Sequence, residues 1–153
     1  MDLLDTKLND ILVDTFRIIL KAEEQAIRDT GGIDLSISEM HLMEAIGRRK
    51  EGRTVSSIAE ELGVTLPAVT VAIGRLLRKG YVEKTRSEDD GRLVLVSLTK
   101  LGHKMNHAHG YFHEQMIRDI VMELSAEEKE IFMNGISRLN QFFKRKYADM
   151  EKK

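Results

Sequence analysis

Five histidines, an aspartate–arginine pair and one small–glycine–β-branched spacing are the features of this chain that could do chemistry. His103/His107 and His109/His113 each repeat at i, i+4, with His41 far upstream; imidazoles at that spacing share a helix face and can ligate zinc. The chain has no cysteine, and no Asp or Glu lies between His103 and His113. With neither a thiolate nor an interleaved carboxylate, the expectation is that these histidines hold no metal and form no sensing site. Asp90 and Arg92 suggest a different chemistry. In "SEDDGRLVLVSLT" (87–99) an acidic turn carries Arg92 at the head of an alternating strand. Asp90, two residues earlier, is placed to give the guanidinium a charge-assisted hydrogen bond that fixes its direction. An arginine held out in this way suits the concentrated negative potential of a narrow DNA minor groove. No nucleophile–base–orienter set, glycine-rich phosphate loop or paired carboxylate motif appears, so no enzyme is expected.

The elements that must position these groups follow from periodicity and caps. Residues 3–28 read as a long amphipathic helix, with Leu4, Leu8, Ile11, Leu12, Thr15, Ile19 and Ala22 on one side and Gly31-Gly32 as the stop. Ser36-Ile37-Ser38-Glu39 is a capping-box pattern, and the run Met40 to Arg49 follows as a second helix. Thr54 caps a third, Val55 to Leu62, closed by Gly63. Thr65 caps a fourth, Leu66 to Lys79, with Pro67 in its first turn and Gly80 as the stop. Tyr81–Arg86 and Arg92–Leu98 are strands joined by Ser87–Gly91; Val94, Val96 and Leu98 share one face of the second. Thr99 caps a long helix to about Leu124, and Ser125-Ala126-Glu127-Glu128 opens the last, whose apolar stripe includes Phe132, Leu139 and Phe143. The fold class is mainly α, an α+β winged helix: a winged helix-turn-helix over 36–98, flanked by dimerisation helices over 1–30 and 99–153, all in one domain.

The spacing that fixes this reading is Ala59, Gly63 and Val69 at relative positions 0, +4 and +10. Ala59 lets two helices approach, Gly63 permits the left-handed turn and Val69 fills the space between them, which is the helix-turn-helix pattern. A hairpin directly after the second helix of that pair makes the unit a winged helix. In this geometry the first turn of the fourth helix faces the major groove, so Thr65, Leu66, Pro67, Ala68, Thr70 and Val71 are candidates for base contacts. Most are short or apolar, suiting thymine methyl groups and shape. Arg75 and Arg78 further along, with Arg53, Ser56, Lys84 and Arg86, are candidates for phosphates. Asp90, Gly91 and Arg92 form the wing tip. Arg78 and Lys79 equally suit the negative end of the helix dipole.

With these residues the sequence resembles the MarR family of transcription regulators. The resemblance is carried by the helix pair 55–79, by "LLRKGYVEKTRSEDDGR" (76–92) and by "LVLVSLTKLG" (93–102), with Asp90, Arg92, Leu98, Thr99 and Gly102 matching the family's wing signature. Leu101 departs from it, where many members carry Lys. The resemblance implies a homodimer on a palindromic double-stranded operator. Within the family, "SISEMHLMEAIG" (36–47), residues 64–92 and "FHEQMI" (112–117) look like the fatty-acid-synthesis repressors of Gram-positive bacteria. That likeness implies an acyl-chain co-effector on acyl carrier protein that tightens DNA binding, with His41, Met40, Met43, Met105, Phe112 and Met116 as the effector-binding set. Methionines suit an adaptable apolar channel and equally a dimer core. The alternatives are a small aromatic ligand or zinc as the sensed species, or a winged-helix protein-interaction module that does not bind DNA.

Composition sets the remaining bounds. A chain of 153 residues with 32% charged and 42% hydrophobic residues suits one domain. No stretch approaches the roughly 18 apolar residues of a membrane span, and the acidic start MDLLDTKLND argues against a signal peptide. With the absence of cysteine, these features lead to the expectation of a cytoplasmic protein without a resident cofactor. Net charge is −1, yet residues 47–92 hold ten Lys/Arg against seven Asp/Glu, and the rest fourteen against eighteen. The middle of the chain is the side that suits a polyanion.

Overall fold

The computed structural model describes residues 2–151, with the side chains of 149–151 outside the description. Six helices and one hairpin follow in the order α1 (Leu3–Asp29), α2 (Ile37–Gly47), α3 (Val55–Leu62), α4 (Leu66–Arg78), β1 (Val82–Arg86), β2 (Val94–Leu98), α5 (Lys100–Met122) and α6 (Ala126–Glu151). The chain divides into two compact units within α5, at Phe112–His113.

In the first unit, side-chain caps set the helix starts. Ser36 and Glu39 exchange backbone bonds at 3.2 and 3.0 Å, so the helix begins at Ile37, three residues before the apolar run from Met40 that marks it in the sequence. Thr54 and Thr65 each accept the N–H three residues on. Gly63 closes α3 with φ +62°, the left-handed turn of the helix pair. Ala59 and Val69 are buried, as their spacing requires.

The hairpin is antiparallel, from Val82↔Leu98 to Arg86↔Val94. The sheet gains a third member through Arg53, whose backbone N–H donates to Val96 O at 2.9 Å and whose carbonyl accepts from Val96 N at 2.7 Å. Val96 and Leu98 are buried, while Val94 is exposed near the turn. The second strand starts at Val94 rather than Arg92, because Ser87–Leu93 and Asp90–Leu93 backbone bonds hold Arg92 and Leu93 inside a longer turn.

The core is centred on Met40, Met43, Ile46, Ile58, Ile73, Leu76 and Val96, with Ile27 of α1 and Met105 of α5 packed into it. Gly102 marks a close approach: a Cβ there would lie 2.1 Å from the Tyr81 carbonyl oxygen. Of the stripe expected on the first helix, Leu4, Leu8 and Ile11 are exposed; the buried residues of α1 are Glu23 and Ile27 nearer its end.

In the second unit, Ser125 and Glu128 form the capping box that opens α6. Phe132 and Phe143 remain about half exposed on that helix.

Candidate nucleic-acid interface

Helix α4 presents two faces. Val69, Ile73 and Leu76 are buried. Residues two positions further along each point the opposite way, so Val71, Arg75 and Arg78 form an outward stripe. Thr65, Leu66, Pro67, Ala68 and Thr70 are exposed in the first turn. The Thr70 hydroxyl donates to Leu66 O at 2.8 Å, so this residue offers a methyl group and an acceptor rather than a free donor. Ser56 is exposed on α3 and Lys84 on β1.

The wing tip is arranged differently from the sequence expectation. Asp90 Oδ1 accepts the backbone N–H of Arg92 at 3.0 Å, and no contact with the Arg92 guanidinium is found among the described residues. A carboxylate two residues upstream in a tight turn lies closest to the main chain and makes an Asx-type turn. The Arg86 guanidinium donates to Gly91 O at 2.8 Å, bracing the turn from the strand side. Arg92 is exposed, and its guanidinium makes no ion pair among the described residues.

Arg53 leaves the phosphate set. Its side chain is 9% exposed, and its guanidinium donates to Ala45 O, Ser57 O and the Glu61 carboxylate. With its donors spent inside the fold and its backbone in the sheet, it joins α2, α3 and the wing. Lys79 is likewise committed, to both Glu39 oxygens and the Asp34 carbonyl. Beside it the Tyr81 hydroxyl donates to Asp34 at 2.7 Å; burial first, then that bond, push the phenol up to about 12.

Sequence reasoning passed over two groups. Arg49, exposed at the end of α2, borders a cleft of about 680 Å³ with Thr54, Ser57, Arg86 and Asp89 between the α2–α3 connection and the wing. Glu23, only 3% exposed, places Oε1 3.4 Å from the Nε2 of both His41 and His109. The carboxylate that is missing between the histidines of α5 is therefore supplied by α1, within reach of both His41 and His109. Nothing in the spacing along one helix could reveal it.

The effector set is also redistributed. Met40, Met43 and Met105 are fully buried core residues, and His41 is partly exposed. The space beside Met40 and Met105 is a void of about 10 Å³, far smaller than an acyl chain. Phe112 and Met116 are half-buried along α5.

A helix-turn-helix with an exposed outward helix, followed by an arginine-tipped hairpin, defines a winged helix-turn-helix protein of the DNA-binding class. The MarR family model matches residues 33–93. The structure resembles that of FabT from Streptococcus pneumoniae, solved in complex with DNA: TM-score 0.85 and 37% identity, over 92% of this chain and 97% of that one. The HTH-type transcriptional regulator YfiV of Bacillus subtilis is 27% identical over 92% of this chain and 87% of its own length. Transcriptional regulator AdcR of Streptococcus pneumoniae is 25% identical over 80% and 87%. The chain belongs to the MarR family of DNA-binding transcriptional regulators.

Proposed function

We propose that the chain acts as a homodimeric repressor on a palindromic operator, reading the major groove with the first turn of α4 and the minor groove with Arg92. The observation that carries this reading is the pairing of an outward stripe on α4 with a braced wing whose arginine is exposed and uncommitted. Arg75, Arg78, Lys84, Arg86 and Ser56 serve the phosphates, and Gly91 lets the turn approach the duplex. Exposed Leu8 and Ile11 on α1 and Phe132 and Phe143 on α6 support a second copy as their cover. Light scattering at micromolar concentration should return a dimer mass; a monomer would sink that part.

Control of fatty-acid synthesis, with an acyl chain on acyl carrier protein as co-effector, is the finer reading. It is supported by the likeness of residues 36–47 and 64–92 to repressors of that kind and by the 37% identity to FabT. Because the Met40–Met105 void is small, an acyl chain would enter there only by displacing methionines. The test is an operator shift across salt concentrations with and without acylated carrier protein. Salt-independent or absent shifts would reject DNA binding, and an unchanged shift would reject the co-effector.

A further inference from the structure

A carboxylate paired with an arginine side chain of α4 lies beneath that helix rather than at the wing. Glu39, 5% exposed, receives the Ser36 N–H at 3.0 Å and Lys79 Nζ at 2.8 and 3.0 Å, and forms an ion pair with Arg75, whose Nε lies 3.5 Å from Oε1. These partners differ in what they leave free. The Ser36 N–H is the cap of α2, and Lys79 is also bonded to the Asp34 carbonyl. Arg75 approaches the carboxylate most closely through Nε, while its two Nη nitrogens carry four more donors. Among the described residues those nitrogens make no hydrogen bond, and the side chain is 49% exposed on the outward stripe of α4. The Glu39 carboxylate faces two cations. Burial pushes the Glu39 carboxyl up, but the Lys79 and Ser36 bonds and the Lys79 charge outweigh it and hold it below the ordinary glutamate value.

We propose that Glu39 is a positioning residue for Arg75: it holds the Nε edge so that the Nη edge meets a DNA phosphate. The inference rests on the operator-binding reading above. A guanidinium fixed at one edge loses less side-chain freedom when it binds, and its planar fork keeps the free donors in a set direction. The capping box serves a second purpose here, since the glutamate that starts α2 also reaches the helix that meets DNA.

The test is a double-mutant cycle on the full-length protein, using a duplex it selects from a random-sequence pool, at two salt concentrations. Arg75→Ala should weaken binding about tenfold and lower the salt slope by about one per protomer. Glu39→Gln keeps an acceptor for the Ser36 N–H; it should weaken binding several-fold with Arg75 present and change nothing in the Arg75→Ala background. Equal losses in both backgrounds, or tighter binding by Glu39→Gln, would overturn the proposal. If Glu39→Gln melts too low to assay, Arg75→Lys decides. Positioning predicts that the salt slope is kept while affinity falls nearly as far as with Arg75→Ala, and full recovery by lysine overturns it. Wild-type protein that selects no duplex would reject the operator reading itself; selection together with an additive cycle would reject only the role of Glu39.

Discussion

Asp90 and Glu39 are both carboxylates near an arginine, and the fold uses them in opposite ways. Asp90 sits two residues from Arg92 in an exposed turn and bonds its backbone N–H. Glu39 is nearly buried, bonds the Lys79 ammonium from across the domain and has the Arg75 guanidinium alongside. Closeness in sequence favours the main chain, because a short side chain in a turn reaches its neighbours' amides first. Long cationic side chains are gripped where tertiary packing brings a carboxylate alongside them and excludes water. The wing is thus shaped by its acid, whereas the base of α4 is pinned by one.

The largest expected effect tests the pinning. Glu39→Ala removes the cap partner of Ser36 and leaves Lys79 without its counter-ion, so it should cost about 2–4 kcal/mol of stability. Denaturant unfolding measures this, and a loss no larger than that of Asp90→Ala would erase the contrast. Next comes Arg92→Ala, which should cost about 1–3 kcal/mol in operator binding and reduce the salt slope. Arg92→Lys should recover part of that loss, since an ammonium is more strongly hydrated.

A finer division comes from Asp90. Asn keeps an acceptor for the Arg92 N–H, so Asp90→Asn should bind DNA as well as wild type or more tightly, while Asp90→Ala should lose about 0.5–1 kcal/mol. Equal losses by both would restore a charge-based grip on the guanidinium. The smallest effects are in pH dependence. Glu39 has a lowered folded pKa, so its contribution is present above the ordinary glutamate value of 4.5 and is lost as pH falls through the lower folded one. Tyr81 has a raised pKa, so its contribution is complete below 10 and lost as pH rises through about 12. Glu39→Gln should flatten the acid limb of a stability–pH profile and Tyr81→Phe the alkaline limb.

Local signals determined most of the architecture from the sequence alone. Ser36, Thr54, Thr65, Thr99 and Ser125 cap helices because each bonds within three residues, a range over which spacing is decisive. Ala59, Gly63 and Val69 defined the helix-turn-helix for the same reason, and Gly80 and the alternation of 93–98 defined the wing. What the tertiary structure decided is which charged side chains are free. Arg53, Arg75 and Arg92 look alike in sequence, yet the first is spent on Ala45, Ser57 and Glu61, the second pairs with Glu39 while half exposed, and the third is uncommitted among the described residues. The Lys79–Glu39 pair spans forty residues, and Glu23 reaches His41 and His109 from another helix. A cap is settled by short-range geometry and therefore shows in a window of a few residues. A long cationic side chain pairs with whatever acceptor packing delivers, and that is determined only when the helices meet.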